Sequence, residues 1–217
     1  MNNFLFIIVL SFFMDAKEPP PGTILIKGMY VDKTEVTNMA YLEFLNHMKP
    51  RMVRKEYKML VPDKANFWYT KGVNKHKPIV NISWAQAMLY CEWRTAMVQQ
   101  KTGLPITYRL IKPEEWVEIG QEVLRNDLER VKEERKKSRE VMEKKGSSYY
   151  YLKSNPQPQD QIYNYFDNVS EMTLEKGVAM GDNNIDMSDD LESNLSRIIN
   201  YTSPNAFLGF RCIAEYP

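Results

Sequence analysis

The densest set of side chains able to do chemistry lies in one loop, 182–192, where Asp186, Asp189, Asp190 and Glu192 alternate with Ser188. Carboxylates and hydroxyls at this spacing suit a hard divalent cation such as calcium, magnesium or manganese, and cannot hold Cu(I), which prefers thiolate. An acidic loop of this kind is as readily a solvated turn. A second polar group, Asp32, Glu35 and Asn38, has the composition for acid/base work. The two histidines, His47 and His76, have no second His, Cys or carboxylate at metal-ligand spacing on a shared element, which argues against zinc and non-haem iron chemistry. The chain has no phosphate-binding glycine loop, no Gly-x-Ser-x-Gly elbow and no Cys/His pair close in sequence. Its only cysteines are Cys91 and Cys212.

The elements that must position these groups follow from local signals. Thr23–Lys27 and Met29–Asp32 are two short strands around Gly28. Thr37 or Asn38 caps a first helix that places Met39, Leu42 and Leu45 on one face and ends near 47–50. The stretch 51–77, with basic residues around Phe67-Trp68-Tyr69, is expected to be an irregular loop over the core. Ser83 caps a second helix carrying Ala87, Tyr90, Cys91, Trp93 and Met97 at helical spacing, and Gly103 stops it. Tyr108-Arg109-Leu110 is extended, and Pro113, Glu114 and Glu115 open a third helix with Trp116 and Ile119 as buried contacts.

From 121 to 160 the sequence reads as an insertion. Glu, Lys and Arg dominate, and Leu124, Leu128 and Val131 form a short apolar stripe that dies away after Arg135, so an exposed helical arm is expected. A solvated extension and a partner-docking helix both fit it. A return loop holding Tyr149-Tyr150-Tyr151, Pro156 and Pro158 follows.

At 217 residues, 43% hydrophobic and 12% aromatic, the chain suffices for one domain with a real core. Lys and Arg (29) balance Asp and Glu (28), so no global field draws it to nucleic acid. Phe4 to Met14 is apolar apart from Ser11, too short for an ordinary membrane span and of the size of a secretion signal's apolar core. The expected organisation is a signal-like segment at 1–16, a linker at 17–22, and one domain at 23–217. Export is expected from this segment, with membrane association through it, as an uncleaved anchor, as the alternative.

Four blocks in fixed order carry a family resemblance: Tyr30-Val-Asp-Lys-Thr-Glu-Val-Thr-Asn38, Pro78 to Trp93 with its Tyr90-Cys91-Glu92-Trp93, Tyr108-Arg-Leu-Ile-Lys-Pro-Glu-Glu-Trp116, and Gly209-Phe-Arg-Cys212. Asn168-Val169-Ser170-Glu171 stands between the last two. Together they resemble the formylglycine-generating enzyme family, the sulfatase-modifying-factor domain. The resemblance implies an α+β, C-type-lectin-like fold with small antiparallel sheets, two or three helices and much loop. It also implies a disulfide between Cys91 and Cys212, against the alternative of two unrelated buried thiols. At Asn168, Val169 and Glu171 it implies a structural calcium, although Asp167 stands where glycine is usual and Ser170 and Met172 replace two tryptophans; a capping or salt-bridged Glu171 is the alternative. The block containing Asp32, Glu35 and Asn38 falls at a strand-to-helix corner, where such side chains satisfy free backbone groups, and Arg211 is expected to form an internal ion pair or to stack on an aromatic ring, with Glu35 or Trp84 as candidates.

In the family a cysteine pair just upstream of the final Gly-Phe-Arg block binds copper and oxidises a substrate cysteine. Here 182–208 contains no cysteine, so copper and the oxidase reaction are not expected. Cysteine-less relatives are thought to serve bacterial secretion and gliding machineries, so the resemblance implies the periplasm, outer membrane or cell surface of a bacterium as the destination. The expected function is therefore a non-catalytic binding or scaffold protein of a cell-envelope complex, with other envelope proteins as partners. The alternative is an enzyme or ligand-binding module using a divalent cation in 182–192.

Overall fold

Two short strands joined by a tight turn begin the domain: β1 (Thr23–Ile26) and β2 (Met29–Asp32) pair antiparallel from Thr23↔Asp32 to Ile26↔Met29. Lys27 and Gly28 between them both have positive φ, 52° and 79°, the backbone of a two-residue hairpin whose twist matches its strands. Lys27 thus belongs to the turn, and the expected first strand ends one residue earlier. The computed structural model describes residues 19–62, 74–145, 161–183, 185–188 and 190–217, with backbone alone at 141, 142, 144 and 145. The signal-like segment 1–16, the aromatic groups 67–69 and 149–151, and Asp189 lie outside the described residues.

Thr37 caps α1 (Asn38–Met48), its hydroxyl accepting the Ala40 amide at 3.2 Å. The buried face is Tyr41, Phe44 and Leu45, and Met39 is exposed, so the expected Met39-Leu42-Leu45 face is rotated toward the aromatics. The expected loop after it contains a helix, α2 (Arg54–Leu60), which buries only Leu60 and accepts the Tyr41 hydroxyl on the Leu60 carbonyl at 2.8 Å. One buried residue in seven leaves no apolar period to read. The expected second helix, α3 (Trp84–Thr102), has a full capping box between Ser83 and Gln86 and stops at Gly103 in the left-handed conformation, φ 71°.

After β3 (Thr107–Leu110) comes α4 (Pro113–Lys145), interrupted at Asp127 by non-helical backbone, φ −136° and ψ 28°. The remaining elements are β4 (Ser170–Met172), β5 (Val178–Met180), α5 (Leu191–Leu195), β6 (Ile198–Asn200), β7 (Leu208–Gly209) and β8 (Cys212–Glu215). They complete two four-stranded sheets, β1-β2-β8-β3 and β6-β5-β4-β7. The first is antiparallel throughout, whereas β4 and β7 pair parallel in the second. Five helices occur among the described residues, where two or three were expected. The class is α+β, as the motifs imply.

The first sheet divides the core. Alternation along β8 sends Cys212 and Ala214 into a cluster with Tyr41, Phe44, Tyr90 and Phe210 under α1 and α3. Ile213 and its neighbour Val31 face the opposite way, toward Trp116, Ile119, Tyr165 and Phe166 under α4. Trp116 stacks on Tyr165 with ring centres 4.7 Å apart. Truncating a ring buried this completely costs about 3–5 kcal/mol.

Candidate functional site

The acidic loop is built around Asp182, which is fully buried. Its Oδ2 accepts Nη2 of Arg135 at 3.1 Å and the Ser188 amide at 2.7 Å, while Oδ1 accepts Nη1 of Arg197 at 2.9 Å. Asp186 also pairs with Arg197. Asp190 caps α5 by accepting the Glu192 amide at 2.9 Å. Glu192 is exposed. Of the carboxylates expected to hold a cation, Asp186 pairs with Arg197, Asp190 caps a helix, Glu192 stands exposed, and Asp189 lies outside the described residues. Among the described residues no group of three or more His, Cys, Asp or Glu could hold a metal ion.

The 164–171 segment is similarly self-satisfied. Nε of Arg211 lies 2.7 and 2.8 Å from the two carboxylate oxygens of Glu171, and both side chains are shut off from solvent. Arg211 also donates to the Asp32 and Tyr163 carbonyls and stands 5.0 Å from the centre of the Tyr165 ring. Its ion-pair partner is thus Glu171 rather than Glu35, and the ring beside it is that of Tyr165 rather than Trp84. Burial raises the Glu171 carboxyl to about 6, with the Arg211 charge opposing that rise.

Asn168, at φ 70°, donates from Nδ2 to Glu35 at 2.7 Å, and Asn164 reaches the other Glu35 oxygen at 3.3 Å. The Val169 amide bonds to the Asp167 carbonyl at 2.9 Å. A calcium ion does not fit Asn168, Val169 and Glu171 here, because a guanidinium already occupies the carboxylate it would need. Replacing the usual glycine, Asp167 is buried with Oδ2 lacking a hydrogen-bond partner among the described residues. Burial pushes its carboxyl up to about 7, against the pull of Arg135.

The first block is structural in its observed contacts. Asp32 Oδ2 accepts Nη1 of Arg94 at 2.6 Å and the Cys212 amide at 3.0 Å, tying α3 and β8 to β2. Asn38 donates to the Asn74 carbonyl at 2.9 Å. Glu35 accepts the side-chain amides of Asn164 and Asn168.

Cys91 on α3 and Cys212 on β8 come together across 121 residues, their Sγ atoms 3.5 Å apart and both buried. The fold thus brings together the two cysteines that the resemblance pairs, and a disulfide is the oxidised form of this contact. Burial, followed by the neighbouring Cys91, holds the Cys212 thiol well above the usual range.

The expected exposed arm is also corrected. Beyond Asp127, α4 turns Val131, Arg135 and Ser138 inward, at spacings of four and three residues. Arg135 reaches the Phe166 carbonyl at 2.5 Å as well as Asp182 and the Ser188 carbonyl. Its position four residues after Val131 was a readable sign of burial, but an arginine in a charged run is ordinarily solvated. Among the described residues, no helix is long and apolar enough to cross a membrane.

The family model described as "Sulfatase-modifying factor enzyme 1-like domain" matches residues 6–216. Among solved structures, the crystal structure of CarF is similar at 16% identity and TM-score 0.51, covering 87% of each chain. Treponema denticola variable protein 1 is similar at 12% identity and TM-score 0.48, covering 87% of this chain and 84% of that one. At its low identity the CarF likeness shows the fold alone. No curated protein matches the chain. A family model that spans all four motif blocks, joined by a mixed helix-and-sheet fold that brings those blocks into one core, settles the relationship: the chain belongs to the sulfatase-modifying factor enzyme 1-like, or formylglycine-generating enzyme, family.

Proposed function

We propose that this member of the family works without its oxidase reaction, as an exported binding or scaffold protein in a bacterial cell-envelope complex. The observation that carries this reading is the 182–208 stretch. It has no cysteine where the family chemistry needs a pair, and Asp182 and Asp186 in it are neutralised by Arg135 and Arg197. Oxidation of a substrate cysteine through Cu(I) requires soft ligands that this stretch does not supply. Export is supported by the apolar run from Phe4 to Met14, and contact with partners by exposed apolar side chains at Leu25, Val53, Met59, Ile185 and Ile198.

Two measurements test the reading. Purified full-length protein, supplied with copper, oxygen and a cysteine-containing sulfatase peptide, is expected to leave the peptide mass unchanged; conversion of cysteine to formylglycine overturns the non-catalytic assignment. Cross-linking in intact cells followed by fractionation and mass spectrometry is expected to recover the chain with envelope proteins. Recovery from the cytosol with no cross-linked neighbour overturns the scaffold role.

A further inference from the structure

The break at Asp127 divides α4 into two parts with different means of attachment. The proximal part, 113–126, inserts Trp116, Ile119 and Val123 into the core. Beyond Asp127, Val131 is the single buried apolar residue among the described side chains, and Leu128 is 40% exposed. The distal part is held instead by polar contacts. Arg130 pairs with Asp127 and Glu134 and lies 5.6 Å from the Tyr163 ring centre. Arg139 donates to the Ser188 carbonyl at 3.0 Å and to the Met187 sulfur at 3.3 Å. Arg135, buried, joins the Phe166 carbonyl, the Ser188 carbonyl and Asp182. Asp182 in turn holds the Ser188 amide and Arg197, so one guanidinium contacts the carboxylate that joins Ser188 to Arg197.

We propose that residues 128–145 form a strap, hinged at Asp127 and latched by Arg135, which opens as a unit and releases residues 185–188 and 190–197 when it does. Its physical basis is the contrast in burial. Segments with few buried apolar contacts open locally at lower free energy than the core they cover. A buried arginine bound to two carbonyls and a carboxylate supplies an all-or-none catch, because losing one contact leaves the others poorly placed. The strap is independent of the scaffold reading and holds for a catalytic protein as well.

Hydrogen exchange on the full chain, read by mass spectrometry of peptic peptides, tests it in two stages. In the wild type, amides of 128–138 are expected to exchange at least about tenfold faster than those of 113–126. A common rate across Asp127 shows one rigid helix and overturns the hinge. In Arg135→Met, exchange is expected to rise by a shared factor in 128–138, 185–188 and 190–197, with α3, β3 and β8 unchanged, and Arg135→Lys is expected to fall between. A rise confined to the strap, no rise, or a rise that includes α3 overturns the latch, since Arg135 would then hold the strap alone, hold nothing, or belong to the cooperative core.

Discussion

Arg211 and Glu171 form an ion pair closed to water, in which Nε of the guanidinium bonds both carboxylate oxygens and Nη2 lies 2.6 Å from one of them. The pair joins β4 to the segment between β7 and β8, and Arg211 extends the tie to β2 through the Asp32 carbonyl. It occupies the place where the family resemblance implies calcium.

Breaking this pair from one side leaves an uncompensated buried charge. Arg211→Met or Glu171→Gln is expected to cost about 3–5 kcal/mol in urea unfolding, whereas the double replacement Arg211→Met with Glu171→Leu is expected to cost less than the two singles together. Simple additivity would show that the two groups do not act as a pair. Millimolar calcium or a chelator is expected to leave the unfolding midpoint of the wild type where it is; a calcium-dependent rise of several degrees would restore a metal to this segment.

Asp167 makes stability depend on pH. Its folded value of about 7 stands above the ordinary 3.8, so the folded state holds a proton that the unfolded chain releases. The sign follows: the Asp167 contribution to stability is full below about 4, falls as pH rises toward 7, and levels off above it, while Glu115, whose carboxyl, despite burial, Arg109 holds low, acts in the opposite sense at acid pH. Glu134 and Glu171, also raised by burial, act in the same direction as Asp167. Asp167→Asn is expected to stabilise the protein at pH 8 by on the order of 3 kcal/mol and to flatten, without abolishing, the decline between pH 5 and 8. An unchanged slope would place the titration elsewhere.

The sulfur pair reports on compartment. Protein isolated from its native cells with thiols blocked at lysis is expected to show no free thiol on unfolding, because exported proteins meet oxidising conditions. Closing the 121-residue separation is expected to stabilise by about 4–5 kcal/mol over the reduced form. Two blocked thiols in the native isolate would argue for a reducing compartment.

Gly209 in the Gly-Phe-Arg-Cys motif is needed for space. A Cβ there would lie 2.8 Å from Cγ2 of Val169 and 3.2 Å from the Ile79 carbonyl. Gly209→Ala is expected to cost about 1–3 kcal/mol, measured by denaturation. Gly28→Ala, where nothing stands within 4 Å, is expected to cost about 1 kcal/mol through its positive φ alone. Equal effects would deny the close approach of β7 to Val169.

Local signals were legible where a single residue does a local job. Thr37, Ser83 with Gln86, and Gly103 each satisfy backbone groups within four positions of themselves, so their roles can be read from neighbours in the chain. The helix Arg54–Leu60 was not legible, since burying Leu60 alone leaves no period. Nor was the inward turn of α4 beyond Asp127: Arg135 is buried because Asp182, 47 residues later, supplies its countercharge.

Residue type, order and short spacing were enough for the family, the α+β class, the caps of α1 and α3, and the lack of cysteines in 182–208. Tertiary structure decided which charges are ligands and which are fastenings. Glu171 and the acidic loop have the composition of cation sites, yet the fold delivers Arg211, Arg135 and Arg197 to them from other parts of the chain. Coulombic partners of a buried carboxylate are chosen by packing, and packing brings together residues whose separation in sequence carries no trace of the contact.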